Sequence, residues 1–138
     1  MQATSGRSAA RDRPLSPHLQ VYKLIPNMVM SIVHRITGAA LYFGSLLLAW
    51  WLIALATGPD YYKYVLSWFA TWPAKIVLLG YTWVLMHHMV GGLRHLIWDS
   101  GHGYDLKTID MLSWGSLVAS LTLTVLIWIA AWNYGGGG

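Results

Sequence analysis

Three long stretches without a charged side chain constrain this chain more than any other feature. They cover residues 36–56, 76–93 and 111–134, which are 21, 18 and 24 residues long. A helix needs about 20 apolar residues to cross the hydrocarbon core of a bilayer, because each residue adds only about 1.5 Å of rise. The stretches therefore predict an all-α integral membrane protein with three transmembrane helices. These helices are expected at about residues 29–56, 74–98 and 111–133.

The composition agrees with a membrane protein and excludes several kinds of site. Charged residues make up 10% of the chain, against about 25% in soluble domains. The chain has no cysteine, which excludes a disulfide, a thiolate metal site and covalent haem attachment. Any haem must be held by histidine or methionine and by packing. The net charge of +4 is attributed to basic residues that set the orientation of the chain in the membrane. Nucleic acid is not an expected partner.

The basic residues predict the orientation in the membrane. Seven of the nine lie in the N-terminal segment, at the start of the first predicted helix or beside the segment 99–110. The other two, Lys63 and Lys75, flank the loop after the first helix. Cytoplasmic loops carry the excess of lysine and arginine. The N-terminus and the 99–110 loop are therefore expected on the cytoplasmic side.

The remaining segments are short. Residues 1–13 are expected to form a disordered basic tail, residues 14–134 the membrane anchor domain, and residues 135–138 a glycine tail without packing value. Residues 57–64 read as a turn-rich outer loop, and residues 99–110 as an inner loop with two glycines.

The second predicted helix carries a candidate haem site. His88, Gly91, Gly92 and His95 have the i, i+3, i+4 and i+7 spacing that places residues on one helix face. Each helical glycine costs about 1 kcal/mol relative to alanine, so two adjacent glycines need a reason. Close helix packing is one reason. A flat haem lying against the backbone, with its iron bound by His88, is the other. His87 points about 100° away.

Other roles for these histidines remain open. A histidine inside a membrane is often an interhelical hydrogen-bonding group, and Arg94 and His95 can also reach lipid headgroups. One helix cannot supply both axial ligands of a haem, because they bind opposite faces of the iron. The second ligand must come from another helix or another chain. Within this chain, His34 is the candidate in a membrane segment.

The sequence SIVHRITG, residues 31–38, opens the first predicted helix. Ser31 and Arg35 form an i,i+4 pair, and His34 lies one position from that face. Arg35, with His34 and Arg94, could meet the propionates of a haem on His88. Alternatively, Ser31 and Arg35 could donate hydrogen bonds to the carbonyl oxygens of a quinone, with Arg35 favouring a developing negative charge. A headgroup anchor is a third role for Arg35.

Three motifs together resemble the cytochrome b subunit of succinate dehydrogenase, the larger membrane anchor of respiratory complex II. The resemblance extends from residue 13 to about residue 133. The motifs are RPLSPHLQVYKL (13–24), SIVHRITG (31–38) and HMVGGLRHLIWD (88–99).

The resemblance implies roles for individual residues. It makes His88 an axial haem b ligand, places Ser31 and Arg35 in a ubiquinone pocket, and brings His34 near a haem propionate. The second axial histidine then comes from the small membrane anchor subunit. Residues of the third motif without an implied role are Arg94, His95 and Asp99. Since this chain doubles the histidine, the glycine face decides between His87 and His88.

The resemblance also implies partners and a location. An iron–sulfur subunit and a flavoprotein subunit would carry out the succinate chemistry, since this chain has neither cysteines for clusters nor a flavin fingerprint. Phospholipid and ubiquinone are further expected partners. The bacterial inner membrane is expected rather than the mitochondrial one, because no transit-like leader of adequate length is visible. Two alternatives stay open: the anchor of a quinol:fumarate reductase, and a haem-free transport or assembly subunit.

Overall fold

A computed structural model describes residues 23–135, and this part of the chain is all-helical. The helices are α1 (Pro26–Thr57), α2 (Pro59–Phe69), α3 (Trp72–Asp99) and α4 (Leu106–Tyr134). Three of them, α1, α3 and α4, are long and apolar enough to cross a membrane, which confirms the three predicted spans. The expected basic tail and most of the glycine tail lie outside the described residues.

Helix α2 corrects the prediction of an outer loop at residues 57–64. Gly58, with φ of +135°, turns the chain out of α1, and Pro59 starts the next helix. Proline suits a first helical position, where its missing N–H would have no partner, and Asp60 in the same turn favours the helix dipole. Val65 is buried against the bundle, whereas Tyr64 is exposed. The Gly-Pro-Asp sequence marks a turn, but here it also begins a helix.

The loop between α3 and α4 is shorter than the predicted 99–110. It covers residues 100–105, and both Gly101 and Gly103 have φ near +80° (81° and 78°). The carboxylate of Asp105 accepts a hydrogen bond of 2.9 Å from the backbone N–H of Thr108 and so caps α4. Hydrogen bonds from Thr108 also hold the pKa of Asp105 below its usual value.

Helix α3 is the centre of the bundle. It packs most extensively against α4 and next against α1, and α2 folds back onto α1. Since α3 runs antiparallel to both, the start of α1, the end of α3 and the start of α4 lie together. We call this the site end, because it carries Ser31, His34 and His88.

Most of the buried side chains in the described residues are polar, and Met30, Ala54 and Val65 are the buried apolar ones. Large apolar side chains face outward along α1, α3 and α4, as expected for helices surrounded by lipid or by partner helices. Gly44 allows α1 to approach α3, because a Cβ at this position would overlap the ring of Tyr81. The Tyr81 hydroxyl donates a hydrogen bond of 3.3 Å to the carbonyl of Leu41.

We expect Gly44→Ala to lower the thermal stability of the purified protein, because Tyr81 must move to admit the methyl group. Overpacking of this kind typically costs about 1–3 kcal/mol. Gly80→Ala is the matched control, since a Cβ at Gly80 meets nothing within 4 Å. The measurement is the midpoint of heat-induced unfolding in detergent. Equal midpoints for both variants would contradict this account of α1–α3 packing.

Candidate functional site

The imidazole of His88 is held by α1 through one ring nitrogen. Its Nδ1 lies 3.2 Å from the carbonyl oxygen of His34 and 3.2 Å from Oγ1 of Thr37. The Thr37 hydroxyl donates its own hydrogen to the same carbonyl at 2.9 Å, so its lone pairs face the imidazole. Both partners therefore accept, and Nδ1 carries the proton. Nε2 is left with its lone pair and, within residues 23–135, with no hydrogen bond.

Three histidines gather at the site end, and we call them the histidine cluster: His34, His88 and His95. The rings of His34 and His88 stack with centroids 4.1 Å apart and planes 4° apart. The His95 ring lies 5.2 Å from that of His34, on the exposed side. Nδ1 of His34 is buried and has no hydrogen-bond partner among the described residues. The structure thus brings together the three histidines that the sequence analysis selected.

The two adjacent glycines of α3 have different surroundings. Gly91 is buried, and a Cβ there would lie 2.5 Å from Nδ1 of His34. Gly38 has the same relation to His88, with Cε1 at 3.0 Å. A Cβ at Gly92, in contrast, meets nothing within 4 Å. The two glycines, which the sequence places on one helix face, therefore have different roles. The missing side chain of Gly91 makes room for the His34 ring, and Gly92 leaves an open surface beside His88.

His87 belongs to a different contact, as its position on the helix predicts. Only 1% of its surface is exposed, and its Nδ1 lies 3.2 Å from Oγ of Ser120 on α4. Its ring stacks on Trp83 with centroids 5.2 Å apart. His87 therefore packs between α3 and α4, away from the histidine cluster.

Arg94 also faces α4, which corrects its expected place beside His34 and Arg35. It is 3% exposed, and its Nη1 lies 3.5 Å from the hydroxyl oxygens of both Ser113 and Ser116. Arg94 follows His87 by seven residues, so the two share a side of the helix. The direction of Arg94 around the helix therefore separates it from the histidine cluster.

The polar seam of α4 is the feature that the sequence analysis missed. Its spacing of three or four residues was a usable signal, because such residues share a helix face. All four side chains are buried against the bundle. They are Ser113, Ser116, Ser120 and Thr124.

Ser31 and Arg35 lie on an open part of the site end. Ser31 is half-buried and Arg35 is exposed. A cavity of about 530 Å³ formed by α1, α2 and α3 lies at the opposite end and includes neither residue. A ligand at Ser31 and Arg35 would therefore be enclosed only by groups outside the described residues.

Known proteins resemble this chain along most of its length. The sequence model of a family described as succinate dehydrogenase/fumarate reductase transmembrane subunit matches residues 9–127. The succinate dehydrogenase cytochrome b556 subunit of Paracoccus denitrificans is 41% identical over 83% of this chain and 88% of the relative. Its counterpart in Rickettsia felis is 38% identical over 85% of this chain and 91% of the relative.

A mitochondrial relative shows the same extent of similarity. The succinate dehydrogenase cytochrome b560 subunit of Mus musculus is 35% identical over 87% of this chain and 70% of the relative. The family match includes all of α1 and α3 and most of α4. The resemblance is thus a property of the whole bundle and does not depend on one short motif.

Proposed function

The chain belongs to the family of succinate dehydrogenase and fumarate reductase transmembrane subunits, and we propose that it binds haem b through His88 and forms part of a ubiquinone site at Ser31 and Arg35. Its relatives are named cytochrome b subunits of succinate dehydrogenase. It is a membrane subunit of an oxidoreductase complex rather than an enzyme by itself.

The hydrogen bonding of His88 is the observation that carries the haem proposal. Histidines that bind metals usually donate their other ring N–H to a carbonyl or a similar acceptor, which fixes the tautomer and raises the basicity of the ligand. In His88, Nδ1 donates a hydrogen bond of 3.2 Å to the His34 carbonyl, and Nε2 carries the lone pair that could bind iron. Neutral imidazole in this tautomer is suited to haem iron.

The surface beside His88 fits a porphyrin. Gly92 is open, and Leu85 and Leu96, which lie on the same side of α3, are 44% and 64% exposed. Together they give an apolar strip with a gap at Gly92 where a flat ring could approach the backbone. When bound, haem b supplies a one-electron carrier within the membrane.

The stacking of His34 on His88 supports a second axial ligand from another chain. Two axial imidazoles point their nitrogens at each other across the porphyrin, whereas these two rings lie face to face with centroids 4.1 Å apart. We therefore assign the second ligand to the small membrane anchor subunit. His34, with its unpartnered Nδ1, together with Arg35 and the exposed His95, is assigned to the propionate end.

Arg94 is removed from the proposed propionate ligands. Its guanidinium lies against the serines of α4, and Trp98 stacks with it at 5.1 Å. Gly91 is no longer proposed as a haem contact. We assign it to helix packing, because its missing side chain makes room for the His34 ring.

The proposed quinone site uses donors on α1. The Ser31 hydroxyl would donate a hydrogen bond to one quinone oxygen. The Arg35 guanidinium would stabilise the negative charge that grows on the quinone as electrons arrive, which is the type of stabilisation that lowers a barrier. Reduction to the quinol takes up two electrons and two protons. The electrons would come from the iron–sulfur subunit, since this chain has no cysteine to hold a cluster.

The remaining assignments concern the assembly. We assign an iron–sulfur subunit and a flavoprotein subunit as partners, in the inner membrane of a bacterium, which the bacterial relatives support. The family description also includes fumarate reductase. The relatives named above are succinate dehydrogenase subunits, and this favours quinone reduction as the physiological direction.

We expect His88→Ala to abolish the b-type absorption of the purified complex, because alanine has no lone pair to replace that of Nε2. His87→Ala is the matched control and should retain the haem, since His87 bonds to Ser120 instead. A reduced-minus-oxidised spectrum, normalised to subunit content, measures the haem. Normal haem content in the His88 variant would exclude His88 as the ligand.

We expect Gly92→Leu to remove or distort the haem while both histidines remain intact. The leucine side chain would project into the open surface beside His88, where overpacking against the porphyrin should cost about 1–3 kcal/mol. The readouts are the haem spectrum and its midpoint potential. If neither changes, the haem does not lie against Gly92.

We expect Ser31→Ala and Arg35→Leu to impair quinone reduction while sparing succinate oxidation by an artificial acceptor that takes electrons upstream. Losing one hydrogen bond to a buried oxygen should weaken quinone binding by about 1–3 kcal/mol. Arg35→Leu should have the larger effect, because it also removes a positive charge. Assembled complex with verified subunit and haem content is required. Wild-type turnover and quinone affinity in both variants would place the pocket elsewhere.

A further inference from the structure

Arg94 is a buried positive charge whose contacts in the described chain are neutral. With 3% of its surface exposed, it has two hydroxyl oxygens at 3.5 Å from Nη1 and the Trp98 ring at 5.1 Å. Its Nε is buried and has no partner among the described residues. An unpaired charge is costly in a membrane span, and such a residue normally has a counter-ion. The counter-ion of Arg94 therefore comes from outside residues 23–135.

A groove gives access to this charge. It has a volume of about 300 Å³ and lies between α3 and α4. Its walls are apolar, and Arg94 and Ser116 contribute the polar groups. A Cβ at Gly115 would meet nothing within 4 Å, so the floor of the groove is open there. The lining residues are Val90, Leu93, Arg94, Ile97, Met111, Leu112, Gly115 and Ser116.

The groove lies on the side of α3 that is turned away from His88. At about 100° per residue, Leu93 and Ile97 lie roughly 140° and 180° from His88 around the helix axis. The haem surface next to Gly92, and with it the proposed contact with the small anchor subunit, is on the other side. The position of the small anchor subunit rests on the proposed function, whereas the burial of Arg94 does not. Lipid is therefore the expected neighbour of the groove.

The depth of Arg94 matches a phospholipid phosphate. Arg94 lies five residues before the end of α3 at Asp99, or about 7.5 Å along the axis. Trp98, in the last turn of the same helix, is an aromatic of the kind found at membrane interfaces. Cationic pockets between transmembrane helices bind anionic headgroups. An arginine at the edge of an apolar groove suits a phosphate with its acyl chain.

We propose that the α3–α4 groove binds an anionic phospholipid. The phosphate accepts hydrogen bonds from the Arg94 guanidinium, because the Ser116 hydroxyl already donates its hydrogen to the Ser113 carbonyl at 2.8 Å. One acyl chain follows the apolar walls formed by Val90, Leu93 and Ile97.

Lipid titration of the assembled, delipidated complex in detergent tests the proposal. Phosphatidylglycerol should bind saturably, as seen by native mass spectrometry, and should raise the thermal midpoint. Diacylglycerol, which lacks the phosphate, and inorganic phosphate, which lacks the chains, should do neither. Arg94→Gln should weaken phosphatidylglycerol binding about tenfold or more, since a charge-assisted bond is lost. Lys107→Gln, which removes an exposed cation at the same end, is the control and should bind like the wild type.

Gly115→Leu provides a second test that leaves Arg94 in place. The leucine should fill the groove, so it should also abolish phosphatidylglycerol binding and the rise in the thermal midpoint. This variant tests the proposal even if Arg94→Gln fails to assemble. Its haem content should be normal, which separates this result from a failure of the haem assignment. Wild-type lipid affinity in Gly115→Leu or in assembled Arg94→Gln would overturn the proposal. So would an equal response to inorganic phosphate, or a wild-type complex that does not respond to phosphatidylglycerol.

Discussion

The close contact of α1 with α3 around His88 is the constraint on which the rest of the structure depends. Gly38 and Gly91 each leave out a side chain, so that His88 and His34 fit between the two backbones. Apolar side chains gain little by leaving lipid for another helix, so small residues and hydrogen bonds must hold such helices together. The bond from His88 Nδ1 to the His34 carbonyl is one of these, and it also orients the imidazole. The same contact therefore packs the two helices and fixes the orientation of the His88 imidazole.

The direction of each polar side chain around α3 gives this helix three distinct sides. His88 faces α1, His87 and Arg94 face α4, and Gly92 is open. Neighbouring residues on a helix are about 100° apart, so HH and GG pairs place chemically identical residues in different surroundings. This explains how a short segment can combine a contact with α1, polar contacts with α4 and an open surface, which we propose receives the haem.

Much of this arrangement was predictable from the sequence, and the exceptions have identifiable causes. The apolar stretches define the spans because bilayer thickness fixes helix length. His88 was distinguishable from His87 by helix geometry alone. The contact of Arg94 with α4 was not predictable in this way, because it depends on which helix packs against that side of α3 near its C-terminal end. Helix α2 was not predicted because Gly58 and Pro59 are typical of turns as well as of helix starts. The structure shows the helix, which buries Val65 against the bundle.

The distribution of charge explains why this subunit depends on other molecules. All five acidic residues are Asp, and none lies in the three long uncharged stretches or within the first two turns of α1. Arg35 and Arg94, however, both lie inside membrane-spanning helices. Because a buried or interfacial arginine cannot lose its charge, the anions that balance it must be supplied from outside. The chain thus offers cations and an imidazole, and under the proposed function its ligands and partners would provide the carboxylates, phosphates or quinone oxygens that these groups need.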